Sequence, residues 1–258
     1  VSSYWWSLLP DLTRREIRNR LINSSSGWLW LIVTPLLLLA VYGFVFGVIF
    51  SARVPHGLDM PFVAWLAVAL WPWLAFSESL LKGSQAILQH SSLISKVAMP
   101  RELLVLSSQS AVFILHLIGY TAVLIAIQLL GSDLTWHGLP YVLLVMATLY
   151  IFALGLGLML SALQVFVRDL EQILPTLIMF WFFMTPILYA PHLLPEGMAR
   201  FLQFNPMAWW MEEIRAGLFL GKWLPDLVFV FLLAGALLTL WLGARLFRRL
   251  SPNFEDFL

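Results

Sequence analysis

The sequence predicts an all-α membrane protein with six transmembrane helices and both termini in the cytoplasm. Three observations lead there. Of 258 residues, 61% are hydrophobic and 11% charged, with a mean hydropathy of +0.88; soluble domains run near 25% charged, and no soluble fold of this size hides so much apolar side chain. Six stretches reach the ~20 apolar residues a spanning helix needs: Trp28–Phe50, Pro61–Leu81, Leu103–Leu130, Leu139–Gln164, Gln172–Ala190 and Leu224–Leu246. With those spans, 11 of the 15 Lys and Arg fall on one side and 4 on the other. The positive-inside rule makes the richer side cytoplasmic, and an even span count keeps the termini together.

Before the first span, residues 11–26 carry Arg14, Arg15, Arg18 and Arg20 among Leu12, Ile17, Leu21 and Ile22. A helix lying in the headgroup layer uses such residues; arginines that only fix topology are the alternative. No cleavable signal segment is visible ahead of the first apolar run, so that span is expected to act as its own targeting signal. Within it, Gly43 and Gly47 form a GxxxG that permits close helix approach. Tyr42, Phe46 and Phe50 recur at i, i+4, i+8 on one helix face.

The second span is crowded with Trp65, Trp71, Trp73 and Phe76, and the fifth with Trp181. Aromatic faces can slide along sugar rings, so Tyr42, Phe46, Phe50, Trp65, Trp73, Phe76 and Trp181 are candidates to line a conduit. Packing or lipid-facing aromatics are the plainer alternative. Pro35, Pro72, Pro175 and Pro186 lie inside spans, where neighbouring groups can satisfy the freed backbone. Among the few ionisable groups placed within spans are Glu78 and His116, a position often functional; interfacial exposure or a hydrogen bond between helices would also explain them. A proton-coupled carrier would carry a denser chain of buried carboxylates, so the energy is expected from elsewhere.

Between spans two and three, Ser84–Val97 reads as a short cytoplasmic helix stopped by Pro100. Gln85, Leu88, Gln89, His90, Leu93, Ile94 and Lys96 would offer it to another protein; a solvated linker is the alternative. Gly157 and Ser161 make a second small-residue pair in the fourth span. After the fifth, residues 191–223 form a longer external segment in which Asn205-Pro206 signals a helix start. Trp209 and Trp210 on that helix favour the membrane interface, so a short external re-entrant helix is expected. The chain, residues 1–258, reads as one membrane domain.

Several chemistries are excluded. A net charge of +1 provides no basic field for nucleic acid. With no cysteine there is no disulfide, thiolate metal site or Cys nucleophile. No metal-ligand spacing, HExxH or GxSxG is present, and no metal site is expected. Residues 217–223, Gly-Leu-Phe-Leu-Gly-Lys-Trp, imitate a phosphate-binding loop but have one residue too few between the glycines and Trp where Ser or Thr should hold magnesium.

Taken in order, these segments resemble the membrane subunit of bacterial polysaccharide ABC exporters, the ABC-2 type permeases that move O-antigen and teichoic acid. The resemblance covers essentially the whole chain. It rests on Arg14-Arg15-Glu16-Ile17-Arg18-Asn19-Arg20, Leu93 to Glu102, Val167-Arg168-Asp169-Leu170, Met184-Thr185-Pro186-Ile187-Leu188-Tyr189, Asn205-Pro206-Met207, Arg215 and the tail Phe254-Glu255-Asp256-Phe257-Leu258. The Arg168-Asp169 and Thr185-Pro186 pieces look more like the O-antigen and teichoic acid branch than the capsule branch.

The resemblance implies a homodimer in membrane lipid, enclosing a conduit, with two copies of a separate cytoplasmic ABC ATPase beneath. It implies no cofactor on this chain, with ATP and Mg on the ATPase. The N-terminal helix would border substrate access, its Arg14, Arg15, Arg18 and Arg20 suiting the pyrophosphate of a polyprenyl-linked polysaccharide. Ser84–Val97 would be the coupling helix, and residues 191–223 would help gate the exit. Arg168, Asp169, Asn205, Pro206 and Arg215 would be structural motif residues. Cargo of another kind (teichoic acid, capsule, lipo-oligosaccharide or drug), a membrane enzyme acting on lipid-linked sugars, and a non-transporting scaffold are the competing readings.

Overall fold

The computed structural model describes residues 2–22, 27–52, 54, 60–94, 99–191, 195, 197, 200 and 202–257. Lys96, Val97, Arg53, residues 23–26 of the expected interfacial helix and most of 191–201 lie outside the described residues. Every described element is helical: α1 (Ser2–Ser7), α2 (Leu9–Ile22), α3 (Gly27–Tyr42), α4 (Phe62–Gln89), α5 (Ser91–Ile94), α6 (Glu102–Leu129), α7 (Leu139–Phe166), α8 (Leu170–Met184), α9 (Pro206–Phe219) and α10 (Leu227–Leu250). Four helical stretches are long and apolar enough to cross a membrane, Phe62–Gln89, Glu102–Leu129, Trp136–Phe166 and Leu227–Asp256. Two shorter apolar helices, Val33–Ile49 and Leu170–Met184, stand where the first and fifth spans are expected.

α4 is the hub, with Leu66 to Leu70, Ala75 and Phe76 fully buried among α3, α6, α7, α8 and α9. Its length departs from expectation. Residues 84–89 continue the second span instead of opening a separate helix, and the chain breaks at His90 before the single turn of α5. Gly83 lies buried inside this long helix. It is tolerated because a Cβ there would meet the Gln109 amide at 2.5 Å. Gln109, fully buried on α6, donates to Ser79 O at 3.2 Å and Ala153 O at 3.1 Å. One amide thus pins α4, α6 and α7 where hydrocarbon offers no other partner.

The small-residue motifs act inside the chain. A Cβ on Gly43 would meet Val63 at 3.0 Å, and Gly47 faces Phe62 at 3.2 Å, so the GxxxG seats the end of the first apolar helix on the start of α4. Gly157 makes room for Gln109. A close helix crossing was not visible in the sequence: a Cβ added at Gly155 on α7 would meet the Thr239–Leu240 backbone of α10 at 2.5 Å, and one added at Gly243 would meet Gly155 O at 2.2 Å.

α3 widens into a π-helical stretch over Gly43–Ile49 that ends at Ser51 with φ +50°. α8 stops at Met184, short of the expected Ala190. Pro186 disfavours helix at Thr185, which sits extended at ψ 136°. α10 lies along α7 and turns Val230, Phe231, Leu237, Leu238 and Trp241 outward. A face this apolar belongs in lipid or against a partner.

Candidate functional site

The basic residues gather at one end. Arg101 bonds Ser251 O and Glu255, Arg248 reaches Glu102 at 3.4 Å, and Arg168 donates to Phe257 O at 3.4 Å. These contacts fold the tail over the starts of α6 and α8, with Phe254 fully buried beneath Arg101, 5.8 Å from its guanidinium. Asp169 is exposed at the α7–α8 turn and makes no capping bond.

At this end a cavity of about 670 Å³ opens between α2, α4, α5 and α6. Arg15, Arg20 and Lys82 supply positive charge to its wall, with Asn19, Gln89 and Ser108 as polar neighbours. Arg14 and Arg18 are exposed and do not line it. Of the seven residues expected to dock a partner, Gln89, His90 and Leu93 line the cavity. Gln85 accepts from Gln89 at 2.9 Å and donates to Glu171 at 3.3 Å. Leu88 is half-buried and Ile94 buried.

Two ion pairs seat α2 on this wall. His90 Nε2 lies 3.0 Å from Glu16 and Nδ1 lies 2.9 Å from Ala86 O. Both ring nitrogens face acceptors, so both must donate, which requires the imidazolium. The hydrogen bond from His90 holds the Glu16 carboxyl below its ordinary 4.5, and the same bond lifts His90 above 6.5. Deeper, Arg20 pairs with one oxygen of Glu78 while His116 Nε2 lies 2.8 Å from the other. Glu78 sits eleven residues before the end of α4, about 16 Å along the helix. The sequence marked Glu78 and His116 as unusual but did not pair them. The i,i+4 spacings Glu16–Arg20 and Glu78–Lys82 were the available signal that these groups share a face.

The opposite end is a folded corner. Asn205 caps α9 through Met207 N at 3.1 Å, accepts from Trp181 Nε1 at 2.9 Å, and donates to Met184 O at 3.0 Å and Thr185 Oγ1 at 3.1 Å. Pro206 follows at the first helical position. Arg215, buried on α9, donates to Pro186 O at 2.7 Å and Ile187 O at 3.1 Å. Trp210 donates to Thr148 at 2.9 Å, about 14 Å along α7 from Leu139. α9 therefore packs inside the bundle and emerges at Lys222, which is held by Glu213 at 2.6 Å and Asp226 at 2.7 Å. The lysine of the loop-like 217–223 motif is thus already neutralised.

The aromatic candidates divide. Trp65, Trp73 and Phe76 are buried at 2, 3 and 0% exposure. Trp73 and Phe76 interlock with Trp181 at 6.1 and 5.4 Å, and Trp65 lies under Arg215, so these three residues hold helices together instead of presenting a surface. Phe50 is exposed, and Tyr42 and Phe46 are partly covered, Tyr42 stacking on Phe182 at 5.5 Å. Among the described residues, no group of three His, Asp or Glu could hold a metal.

Residues 11–219 match the family model described as ABC-2 type transporter. The chain is 32% identical to the O-antigen export system permease protein RfbA of Myxococcus xanthus, over 96% of this chain and 94% of that protein. It is 27% identical to the protein of the same name from Klebsiella pneumoniae, over 99% and 96%. It is also 25% identical to the polysialic acid transport protein KpsM of Escherichia coli, over 91% and 90%.

Proposed function

Because the chain belongs to the ABC-2 type transporter family, we propose that it is the membrane subunit of an ATP-driven exporter that carries a polyprenyl-pyrophosphate-linked polysaccharide, O-antigen foremost, from cytoplasm to periplasm. The observation that carries this reading is the cationic cavity at the basic end. Arg15, Arg20 and Lys82 offer donors suited to phosphate oxygens beside the apolar Leu93, Ala111 and Val112. The RfbA relatives match more of the chain, 99% and 96%, than the relatives named for polysialic acid and capsule export, at 91% and 84%, which favours O-antigen over capsule as cargo.

In this reading the shorter helices α3 and α8 complete six spans, with the basic end cytoplasmic. Exposed Phe44, Val48 and Phe50, on and just past the π-helical stretch after α3, and exposed Phe180 and Phe183 on α8 leave apolar surface open. A second copy would cover it and enclose a conduit with Tyr42, Phe46, Phe50 and Trp181 nearest its wall. ATP and Mg belong to two copies of a separate ATPase. It docks below the cavity on α5, so that movement there reaches α2 through His90 and Glu16. This chain contributes binding, orientation and a pathway, and no catalytic residue.

The test is genetic and biochemical. Cells lacking this protein should accumulate lipid-linked polymer on the inner face. Wild type should clear it, whereas a variant with Arg15, Arg20 and Lys82 all changed to Gln should not. Co-purification with its partner ABC ATPase should be lost when residues 90–97 are replaced by a Gly-Ser linker. Normal export by the triple variant, or polymer chemistry performed by the purified chain alone, refutes the reading.

A further inference from the structure

We propose that a second cavity, between the start of α9, the start of α10 and the turn after α8, binds the ammonium group of an aminophospholipid headgroup, with Glu212 as its counter-ion.

This cavity, of about 240 Å³, lies at the end of the bundle away from the basic one, and Pro186, Gln203, Trp209, Glu212, Glu213 and Val228 are on its wall. Pockets for drug-sized ligands run to about 300–1,000 Å³, so this one has room for a headgroup and not for a whole lipid. Among the described residues, no Lys or Arg lines it. Glu213 is already engaged by Tyr141 and Lys222. Glu212 is exposed and forms no ion pair within 4.0 Å among the described residues. The cations nearest it along the chain are committed elsewhere. Arg215 holds the Pro186 and Ile187 carbonyls, and Lys222 holds Glu213 and Asp226. The cavity therefore presents one carboxylate with no cation of its own.

Trp209 precedes Glu212 by three residues and so shares its helix face. A bond from Nε1 to Gln203 O at 3.1 Å fixes the ring. An ammonium group beside a carboxylate and an indole gains a charge-assisted hydrogen bond and attraction to the ring together. The rim says where that ammonium comes from. Phe204, next to Gln203, and Leu227, next to Val228, are both exposed, as are Trp223 and Leu224 between α9 and α10. Apolar side chains on both flanks suit acyl chains, and Trp favours the membrane interface. Glu212 stands about 10 Å along α9 from the Asn205 cap, towards Lys222 where the chain emerges. A water-soluble amine gains nothing from such a rim. An anionic headgroup without an amine brings its charge against Glu212.

The full chain in dodecylmaltoside, mixed with equal amounts of phosphatidylethanolamine, phosphatidylcholine and phosphatidylglycerol and followed by native mass spectrometry, tests this. Wild type should retain phosphatidylethanolamine over phosphatidylglycerol by about fivefold, as one partly exposed ion pair allows. Phosphatidylcholine should fall between them, because its quaternary ammonium cannot donate a hydrogen bond. Glu212→Gln should remove the preference, and Glu212→Lys should reverse it in favour of phosphatidylglycerol. Asp169→Asn, which changes an exposed acid at the opposite end, should leave it intact. Equal retention of the three lipids by wild type, or an equal loss of preference in Asp169→Asn, overturns the proposal. Displacement of the bound lipid by maltohexaose also overturns it, since the cavity would then be a sugar subsite.

Discussion

The guanidinium of Arg215 lies 3.4 Å from the centroid of the Trp65 ring while its amino groups hold the carbonyls of Pro186 and Ile187. One side chain therefore ties α9 to α4 and to the break after α8. Arg215→Ala should lose about 2–4 kcal/mol, since two charge-assisted bonds and a desolvated cation–π contact go together. Arg215→Lys should recover only part, because an ammonium lacks the planar fork and stacks poorly. Thermal unfolding in detergent should rank wild type above Lys and Lys above Ala; equal midpoints for all three would remove this corner from the account.

Gly155 and Gly243 set the separation of α7 and α10. Alanine is the better helix former by about 1 kcal/mol, so isolated helices would gain from the change. Here an added methyl meets backbone, and Gly155→Ala should instead cost about 1–3 kcal/mol through forced separation. A stabilised Gly155→Ala variant would contradict the close crossing.

How much of this was legible in the sequence depends on how far each residue's partner lies along the chain. Asn205-Pro206 announced α9 because a cap and a proline act on their own next few residues. The gathering of arginines at one end followed from counting, as topology obeys local charge. The extent of α4 did not follow, because Ser84–Val97 reads as a separate cytoplasmic helix, and the Gln109 amide that fills the space beside Gly83 comes from another helix. Likewise, Trp65, Trp73 and Phe76 were indistinguishable from conduit aromatics, since a ring carries no mark of what it touches. Glu78 and His116 were visible as misplaced polar residues, but their pairing requires α4 and α6 to be set side by side with α2 across them.

The Glu16–His90 contact should respond to pH in two directions. Glu16, held below 4.5, contributes fully above that value and loses its contribution as pH falls through its lowered pKa. His90, raised above 6.5, contributes fully below 6.5 and loses its contribution as pH rises through its raised pKa. The docking of α2 should be firmest between pH 4.5 and 6.5 and loosen on the alkaline side. Spin labels on the exposed faces of α2 and α5 should show a distance distribution that broadens with rising pH, and His90→Gln should abolish that step. A distribution indifferent to pH in wild type would rule out the imidazolium.

Phe254 anchors the tail, fully buried against Phe247 at 5.4 Å and Phe166 at 6.1 Å. Phe254→Ala should cost about 3 kcal/mol and release Glu255 from Arg101. A cysteine at Phe257 should then label faster with a soluble maleimide than in the parent. Unaltered labelling would mean that Arg101 alone secures the tail.

The fifteen residues of α8 span about 22 Å, some 8 Å less than the ~30 Å of hydrocarbon in an ordinary bilayer. The peptide units after Met184 would then sit at acyl-chain depth, where the carbonyls of Met184, Pro186 and Ile187 find their donors in Asn205 and Arg215 instead of water. Where α8 serves as the fifth span, bordering lipid would have to thin to meet a short helix, and export should then depend on acyl-chain length, with shorter chains favoured over longer ones.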